Sequence, residues 1–432
     1  MPEARPHLQT VQSYPMWRTW NRQVTPMTDL AFAGVTPQRR LPLPEFIAML
    51  AFLFATIAFS MDAMLPALPQ IAESLTPDNV NRAQLILTGF MAGMGLGTLF
   101  AGPISDALGR KRTITIGFAI YIAGAIWAVY ADSLESLLLA RFVQGLGAAA
   151  PRIVGLALVR DLYEGREMAR ITSFVMMIFI MIPAIAPTIG AGIIAVAGWH
   201  GVFLAFVGFA LIGGLWLNIR QAETLPPELR RPLRFTPLLA AAKEVLSDRQ
   251  VMMTTLVLTL GFGQMFGLLS SAQQLFGETY GKGESFHLWF AAMALLSGSG
   301  TVLNATFVIR FGMRRIAKWA YVMQTIVSAT VLTLLLSGVL PAALQFPVFF
   351  FWAVSVFFMA GVTFGNLNAL ALQRMGHIAG MAASIIAAIS TLCAVMIAAP
   401  VGLMYDGTAI PAMSATLICS GLAWFLMRHL RD

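Results

Sequence analysis

The chain has 432 residues, of which 58% are hydrophobic and only 11% are charged, whereas soluble domains carry roughly 25% charged residues. This composition excludes a soluble globular protein and predicts an all-α protein that crosses a membrane many times. The net charge is +8, but the basic residues are distributed as membrane topology requires, so we expect no nucleic-acid partner. Cys393 and Cys419 both fall within apolar runs and indicate neither a disulfide framework nor a metal site.

The first 45 residues contain prolines and charges but no apolar stretch long enough for a span. We predict that residues 1–45 form a disordered tail on the cytoplasmic side. Two interpretations of this tail stay open. Either Trp17 and Trp20 rest at the headgroup interface, or translation begins at Met27 and the preceding residues have no role.

Twelve apolar segments follow, each about long enough to cross a bilayer. Their predicted bounds are 46–68, 84–105, 113–131, 135–159, 169–196, 200–220, 251–277, 285–309, 315–338, 345–371, 379–404 and 408–427. One long polar connection, residues 221–250, contains four prolines and divides the chain into a half at 46–220 and a half at 251–432. The sequence therefore predicts two bundles of six helices joined by a linker.

The orientation follows from the positions of the 28 basic residues. Arg82 and Lys282 fall between segments on one side, and Arg141 and Arg152 lie within the fourth segment. All the others lie on the opposite side. Because cytoplasmic loops carry the excess of lysine and arginine, both termini and the linker are predicted to be cytoplasmic.

The first segment carries an acid, Asp62, four residues before Pro66. Proline has no N–H, so the carbonyl of Asp62 is expected to lose its helical partner and the helix to kink there. A charged carboxylate in a span costs a few kcal/mol, so such a residue is usually partnered, protonated or in contact with water. Asp62 is therefore a candidate for proton coupling and substrate binding, unless it only marks the outer mouth of the helix.

The connection between the second and third segments carries Gly102, Asp106, Gly109, Arg110 and Lys111. Three consecutive cations cannot lie in hydrocarbon, and Gly109 suits a reversal that needs positive φ. The pattern resembles the G-x-x-x-D-x-x-G-R-K/R signature of the major facilitator superfamily, and all five fixed positions match. The resemblance implies a fold of twelve transmembrane helices in two six-helix bundles around a central pathway. An ordinary basic loop is the alternative interpretation.

The fourth segment begins with Arg141 and Gln144, which resemble the R-x-x-Q-G motif of the same superfamily. Arg141 and Gln144 are accordingly candidates for substrate binding, and Arg141 also for proton coupling. Arg152 follows eleven residues later, on the same helix face and about 16 Å further along. Two cations on one face favour an aqueous cavity, which makes Arg152 a further substrate candidate. Alternatively, Arg152 neutralises an acid or reaches cytoplasmic water.

The end of the fourth segment carries Asp161. The resemblance implies that Asp161 joins Asp106 and Arg110 in a charge network that acts as a cytoplasmic gate together with Gly102, Gly109 and Lys111. The fifth segment contains Pro183, Pro187, Gly190 and Gly192. These residues resemble the G-P-x-x-G-G antiporter motif, but alanines replace two of its glycines.

Three stretches resemble the Bcr/CflA branch of drug:proton antiporters, namely residues 60–69, 223–228 and 376–380. The resemblance implies export of small amphipathic compounds across a bacterial inner membrane. It also implies that Asp62 carries the coupling proton and that no cofactor other than the proton is used. We expect a monomer in the lipid bilayer.

The C-terminal half offers amide side chains but no acid within a span. Gln264 and Asn368 are its candidates for substrate contact, although such groups also bond neighbouring helices. Arg141 and Arg152 keep an alternative open, a carrier that imports or exports a specific organic anion. A membrane-embedded enzyme is disfavoured because the chain lacks H-E-x-x-H and G-x-S-x-G motifs, and nothing resembles the Walker lysine loop of ATP-driven proteins.

Overall fold

The computed structural model describes residues 41–233 and 235–430, so nearly all of the predicted tail lies outside the described residues. Within these described ranges, eleven helical stretches are long and apolar enough to cross a membrane. We number the resulting spans 1 to 12: span 1, Leu43–Leu75; span 2, Val80–Leu108; span 3, Arg110–Val129; span 4, Leu134–Leu162; spans 5 and 6, within Gly165–Arg220; span 7, Arg249–Thr279; span 8, Phe286–Phe311; span 9, Met313–Leu336; span 10, Ala342–Gln373; span 11, Gly376–Leu403; span 12, Ile410–His429.

The stretch Gly165–Arg220 comprises two spans. Its 56 residues would extend for about 84 Å as one helix, far more than a bilayer core of about 30 Å. Gly198 interrupts the helix with φ 64° and ψ −172°, a conformation that favours glycine. Spans 5 and 6 are therefore residues 165–197 and 199–220, and the prediction of twelve spans is confirmed.

Span 1 is broken in the middle, where the sequence predicts a kink. Its first helix runs from Leu43 to Asp62, a 3₁₀ turn follows at Leu65–Ala67, and a second helix covers Leu68–Leu75. The span begins three residues before its predicted start because Pro42 and Pro44 occupy its N-terminus, where the missing N–H groups cost nothing.

The polar connection contains a helix that the sequence analysis did not predict. This linker helix, Phe235–Ser247, buries Ala241 and Val245 against the C-terminal half. Asp248 then accepts hydrogen bonds from the backbone N–H groups of Gln250 and Val251 and so caps the start of span 7.

Glycines set the distances between the spans of the N-terminal half. A Cβ atom at Gly145 of span 4 would lie 2.1 Å from the carbonyl oxygen of Phe90 in span 2. One at Gly147 would lie 2.4 Å from the carbonyl oxygen of Gly117 in span 3. Span 4 therefore packs backbone to backbone against both neighbours, as small residues permit.

The two halves meet along spans 2 and 11. Gly95 packs against Thr391 and Leu392, Gly402 packs against Gln84, and Gly102 approaches Ser384. The halves also share a turn, because Gly109 between spans 2 and 3 and Gly312 between spans 8 and 9 have similar φ and ψ angles of 101° and 159° and of 81° and 149°. This similarity is expected of a protein built from two repeats.

Candidate functional site

Asp62 lies at the break of span 1 and is only 5% exposed. Within the described part of the chain, no hydrogen bond or ion pair reaches its carboxylate. The helix that ends at Asp62 is closed by a backbone bond, from the N–H of Ala63 to the carbonyl of Phe59, and this bond does not involve the Asp62 side chain. A buried carboxylate without a partner is costly when charged, which makes Asp62 an exceptional acid within a span.

Arg141 is completely buried and contacts span 1 just before Asp62. Its guanidinium donates to the backbone carbonyl of Ser60 at 3.0 Å and to Oε1 of Gln144 at 2.6 Å, and it lies 4.4 Å from the ring centre of Phe90. The sequence analysis places Arg141 and Asp62 in one coupling site. The structure brings them to the same region, but Arg141 binds the backbone of span 1 and not the carboxylate.

The side chain of Ser60 completes this region. Its Oγ is 2.5 Å from the hydroxyl of Tyr121 in span 3 and donates to the carbonyl of Thr56 at 2.5 Å. Spans 3 and 4 thus both hold the last turn of helix before Asp62. The sequence alone gave no indication of Tyr121, because its position next to Ser60 depends on the packing of span 3.

Gly190 of span 5 touches the same break from the other side. A Cβ atom at Gly190 would lie 2.1 Å from the carbonyl oxygen of Ala63, the residue after Asp62. Gly192, by contrast, has no heavy atom within 4 Å of such a Cβ position. Of the predicted antiporter-motif glycines, only Gly190 therefore contacts the break of span 1. Pro183 and Pro187 lie inside the helix of span 5.

The other predicted substrate residues are dispersed. Arg152 follows Arg141 by eleven residues and lies nearer the C-terminal end of span 4. Asn368 donates to the carbonyl of Phe364 in its own helix at 3.0 Å. Gln264 of span 7 is only 2% exposed, and neither atom of its amide has a partner among the described residues. A buried amide without partners is unusual and calls for an explanation.

The predicted gate residues come together at the end of the bundle that carries the linker, here called the linker end. Arg110 donates to Ser105 Oγ at 2.8 Å, to Asp106, and to Asp161 Oδ2 at 2.9 Å. Lys111 Nζ donates to the carbonyl of Asn218 at 2.7 Å. These bonds join spans 2, 3, 4 and 6, all within the N-terminal half.

Glu223 of the linker contacts the predicted gate residues, and the sequence did not single it out for this position. Its carboxylate accepts hydrogen bonds from the backbone N–H groups of Arg110 at 2.8 Å and Lys111 at 3.1 Å. An anion at a helix N-terminus is favourable. A Cβ atom at Gly109 would lie 2.5 Å from Glu223 Oε2, so glycine is needed there both for its φ of 101° and for space. Glu223 lies in a stretch that carries the family resemblance, which was the only available signal.

A second polar cluster bridges the halves at the opposite end, the far end. This far-end cluster consists of Asn81 and Gln84 of span 2, Ser271 and Gln274 of span 7, and Tyr405 after span 11. Gln84 donates to Gln274, and Ser271 Oγ donates to Gln84 Oε1 at 3.1 Å. Gln274 donates to Asn81 at 3.0 Å, and Asn81 donates to the carbonyl of Tyr405 at 2.7 Å. None of the five side chains carries a charge, and together they tie the far ends of the two halves.

With this geometry in view, comparison with known proteins decides the family. The sequence model of the family described as Major Facilitator Superfamily matches residues 49–427 of this chain. The chain belongs to the major facilitator superfamily. The fold agrees with this assignment, because the xylose transporter XylE from E. coli, solved in a partially occluded inward-open conformation, superposes with a TM-score of 0.70 at 12% identity over 90% of this chain and 98% of that chain.

Curated relatives indicate the branch of the superfamily to which the chain is similar. The chain is 30% identical to the uncharacterized MFS-type transporter YdgK of Bacillus subtilis over 90% of this chain and 96% of the relative. It is 28% identical to the bicyclomycin resistance protein homolog of Haemophilus influenzae over 88% and 96%, and 29% identical to a chloramphenicol resistance protein of Pseudomonas aeruginosa over 65% and 64%. The resemblance to the Bcr/CflA branch is confirmed. The chain is a multi-pass membrane transporter of the bacterial inner membrane, and its substrate is a small molecule.

Proposed function

We propose that this transporter exports small amphipathic compounds from the cytoplasm in exchange for protons. The observation that carries the proposal is Asp62, a carboxylate that is buried without a partner at the break of span 1. Such a group holds a proton while it is buried and releases it when the surroundings become polar. The names of the relatives, which refer to bicyclomycin and chloramphenicol resistance, support export of drug-like compounds.

The proposed cycle is alternating access around one central cavity. The linker end is cytoplasmic and the far end is periplasmic, in agreement with the distribution of basic residues. Asp62 takes a proton from the periplasmic side and loses it on the cytoplasmic side, where substrate enters. Arg141 holds the backbone of Ser60 and thereby positions Asp62. An approach of Arg141 to this carboxylate during the cycle would favour proton release, because a neighbouring cation stabilises the charged form of the acid.

The test uses inverted membrane vesicles with an imposed pH gradient, screened with cationic, neutral and anionic compounds. We expect uptake of several amphipathic compounds that stops when the gradient is collapsed. In Asp62→Asn, gradient-driven uptake should be lost, because the amide cannot release a proton, while the folded protein is retained. The control is Glu135→Gln, which removes an exposed carboxylate paired with Arg82 at the far end. Normal pH-dependent pumping by Asp62→Asn would assign the proton to another group.

A carrier of one specific organic anion is the second candidate. Arg152 favours it, since no hydrogen bond or ion pair of Arg152 is found among the described residues. The two candidate functions differ in the range of substrates transported and in whether transport needs a pH gradient of one sign. A carrier of this kind would accept a single class of acid in the vesicle screen and would not need a pH gradient of fixed sign.

A further inference from the structure

Arg152 points into the protein and not toward lipid. In an α-helix, residues three apart are offset by about 60°, so Arg152 lies midway between Ala149 and Gly155. Ala149 faces Gly97 of span 2, and Gly155 faces Phe54 of span 1. Leu139, which is 55% exposed, marks the outer surface of span 4 and lies about 140° away around the helix.

Arg152 is nevertheless exposed, although Ala149 and Gly155 on either side of it pack against spans 2 and 1. Span 4 therefore presents Arg152 between spans 1 and 2, at a place where its side chain stays accessible. Arg141 on the same face is the internal comparison, because it is completely buried and its donors bind Ser60, Gln144 and Ile86. Arg152 has no such partner in the described ranges, which removes the interpretation that it neutralises an acid of span 1, 2 or 4.

A guanidinium inside a membrane protein calls for an anion or for water. It presents a planar fork of donors that matches a carboxylate at two points, and it stays charged at any physiological pH. We propose that Arg152 is an anion-binding subsite of the transport cavity that takes the carboxylate of an amphipathic acid. This inference rests on the proposed export function and narrows its substrates to compounds that carry an acidic group.

The position of Arg152 fits a subsite separate from the proton site. Arg152 lies about 16 Å along span 4 from Arg141, toward the linker end. A substrate whose acid binds Arg152 would therefore extend its apolar part toward Asp62, where the buried residues of span 1 are mostly apolar. The acid and the coupling proton would then occupy different places in the cavity.

The experiment compares acids with their primary amides of the same shape. Binding of 1-naphthylacetate, 4-phenylbutyrate and the two matching amides is measured by titration of the purified full chain in lipid nanodiscs. We expect the wild type to bind both acids more tightly than the amides. Arg152→Gln should weaken binding of the acids about ten- to hundredfold, as for a lost charge-assisted hydrogen bond, and leave the amides within twofold. Arg152→Lys should fall between, because it keeps the charge but not the fork.

The matched control is Arg160→Gln, which removes an exposed cation from the end of the same span and should change neither class. Equal losses for acids and amides in Arg152→Gln, or a wild type that binds the amides at least as tightly as the acids, would overturn the subsite. If Arg152→Gln is unstable, the ratio of acid to amide affinity in Arg152→Lys decides. Because binding needs no gradient, this outcome is independent of the vesicle assay, whose failure would overturn proton-driven export alone.

Discussion

At the scale of single residues, Gly190 and Gly192 of span 5 form a matched pair. A methyl group at Gly190 would overlap the carbonyl of Ala63, whereas Gly192 has open space. We expect Gly190→Ala to lower stability by about 1–3 kcal/mol through overpacking and to impair transport, because it pushes span 5 away from the residue beside Asp62. Gly192→Ala should be neutral or should stabilise by up to about 1 kcal/mol.

Thermal unfolding of the purified variants and gradient-driven uptake in vesicles measure both effects. Equal behaviour of the two variants would show that the approach of span 5 to Ala63 does not constrain the coupling region.

Single residues also show how far local patterns extend. The break at Asp62 follows from the missing N–H of Pro66, so the sequence predicted it correctly. The contact of Arg141 with span 1 did not follow from the sequence. The motif indicated a cation next to a carboxylate, but the guanidinium is held by the carbonyl of Ser60, and which acceptor a long side chain reaches depends on how the spans pack.

At the scale of helices, Glu223 caps span 3 from the linker. Removing it in Glu223→Ala leaves the N–H groups of Arg110 and Lys111 without their anionic acceptor, and we expect a loss of about 0.5–2 kcal/mol. Glu228→Ala, which removes an exposed acid five residues further along the linker, should lose almost nothing. Thermal unfolding of both variants provides the measurement. A loss in Glu228→Ala as large as that in Glu223→Ala would mean that overall linker charge matters and not the cap.

Asp248 caps span 7 and gives a prediction about pH. Burial raises the pKa of Asp248, but the N–H of Val251, the guanidinium of Arg374 and the N–H of Gln250 together outweigh burial, so its pKa lies below the ordinary value. A carboxyl with a lowered pKa stabilises the fold above its unfolded pKa of about 3.9 and loses this contribution as the pH falls through the folded value.

We therefore expect Asp248→Ala to lower the free energy of unfolding by about 0.5–2 kcal/mol at neutral pH. The difference from the wild type should shrink below about pH 4. Melting temperatures from pH 7 to pH 3 test this, with Asp78→Ala as a control that removes an exposed far-end acid. A difference that is constant over this range would refute the assignment to the charged cap.

At the scale of the whole molecule, the far-end cluster holds the two halves together by uncharged hydrogen bonds. In Gln84→Leu, Gln274 and Ser271 lose their partner, and an unsatisfied buried group costs about 1–3 kcal/mol. This penalty applies only while the far end is closed. We expect the population with an open far end to rise about fivefold or more.

The measurement is the labelling rate of a single cysteine at Ser270, which is 1% exposed near the far-end cluster. A membrane-impermeant maleimide is used after Cys393 and Cys419 are replaced by serine. Gln70→Leu, which changes an exposed amide at the same end, should leave the rate unchanged. An unaltered rate in Gln84→Leu would show that these hydrogen bonds do not hold the far end closed.

The sequence by itself determined the number of spans, the division into halves, the break at Asp62 and the charge network of Asp106, Arg110 and Asp161. These features depend on segment hydropathy, on proline chemistry and on the family resemblance, which joined Asp161 to Arg110 although the two are 51 residues apart. Only the tertiary structure decided that Gln84 meets Gln274, that Glu223 caps span 3, that Gly190 touches Ala63 and that Arg152 is exposed between spans 1 and 2. The physical reason is that these contacts join residues far apart in the chain. Their partners are set by helix packing, and an amide, a glycine or an arginine has the same local signature whichever neighbour it meets.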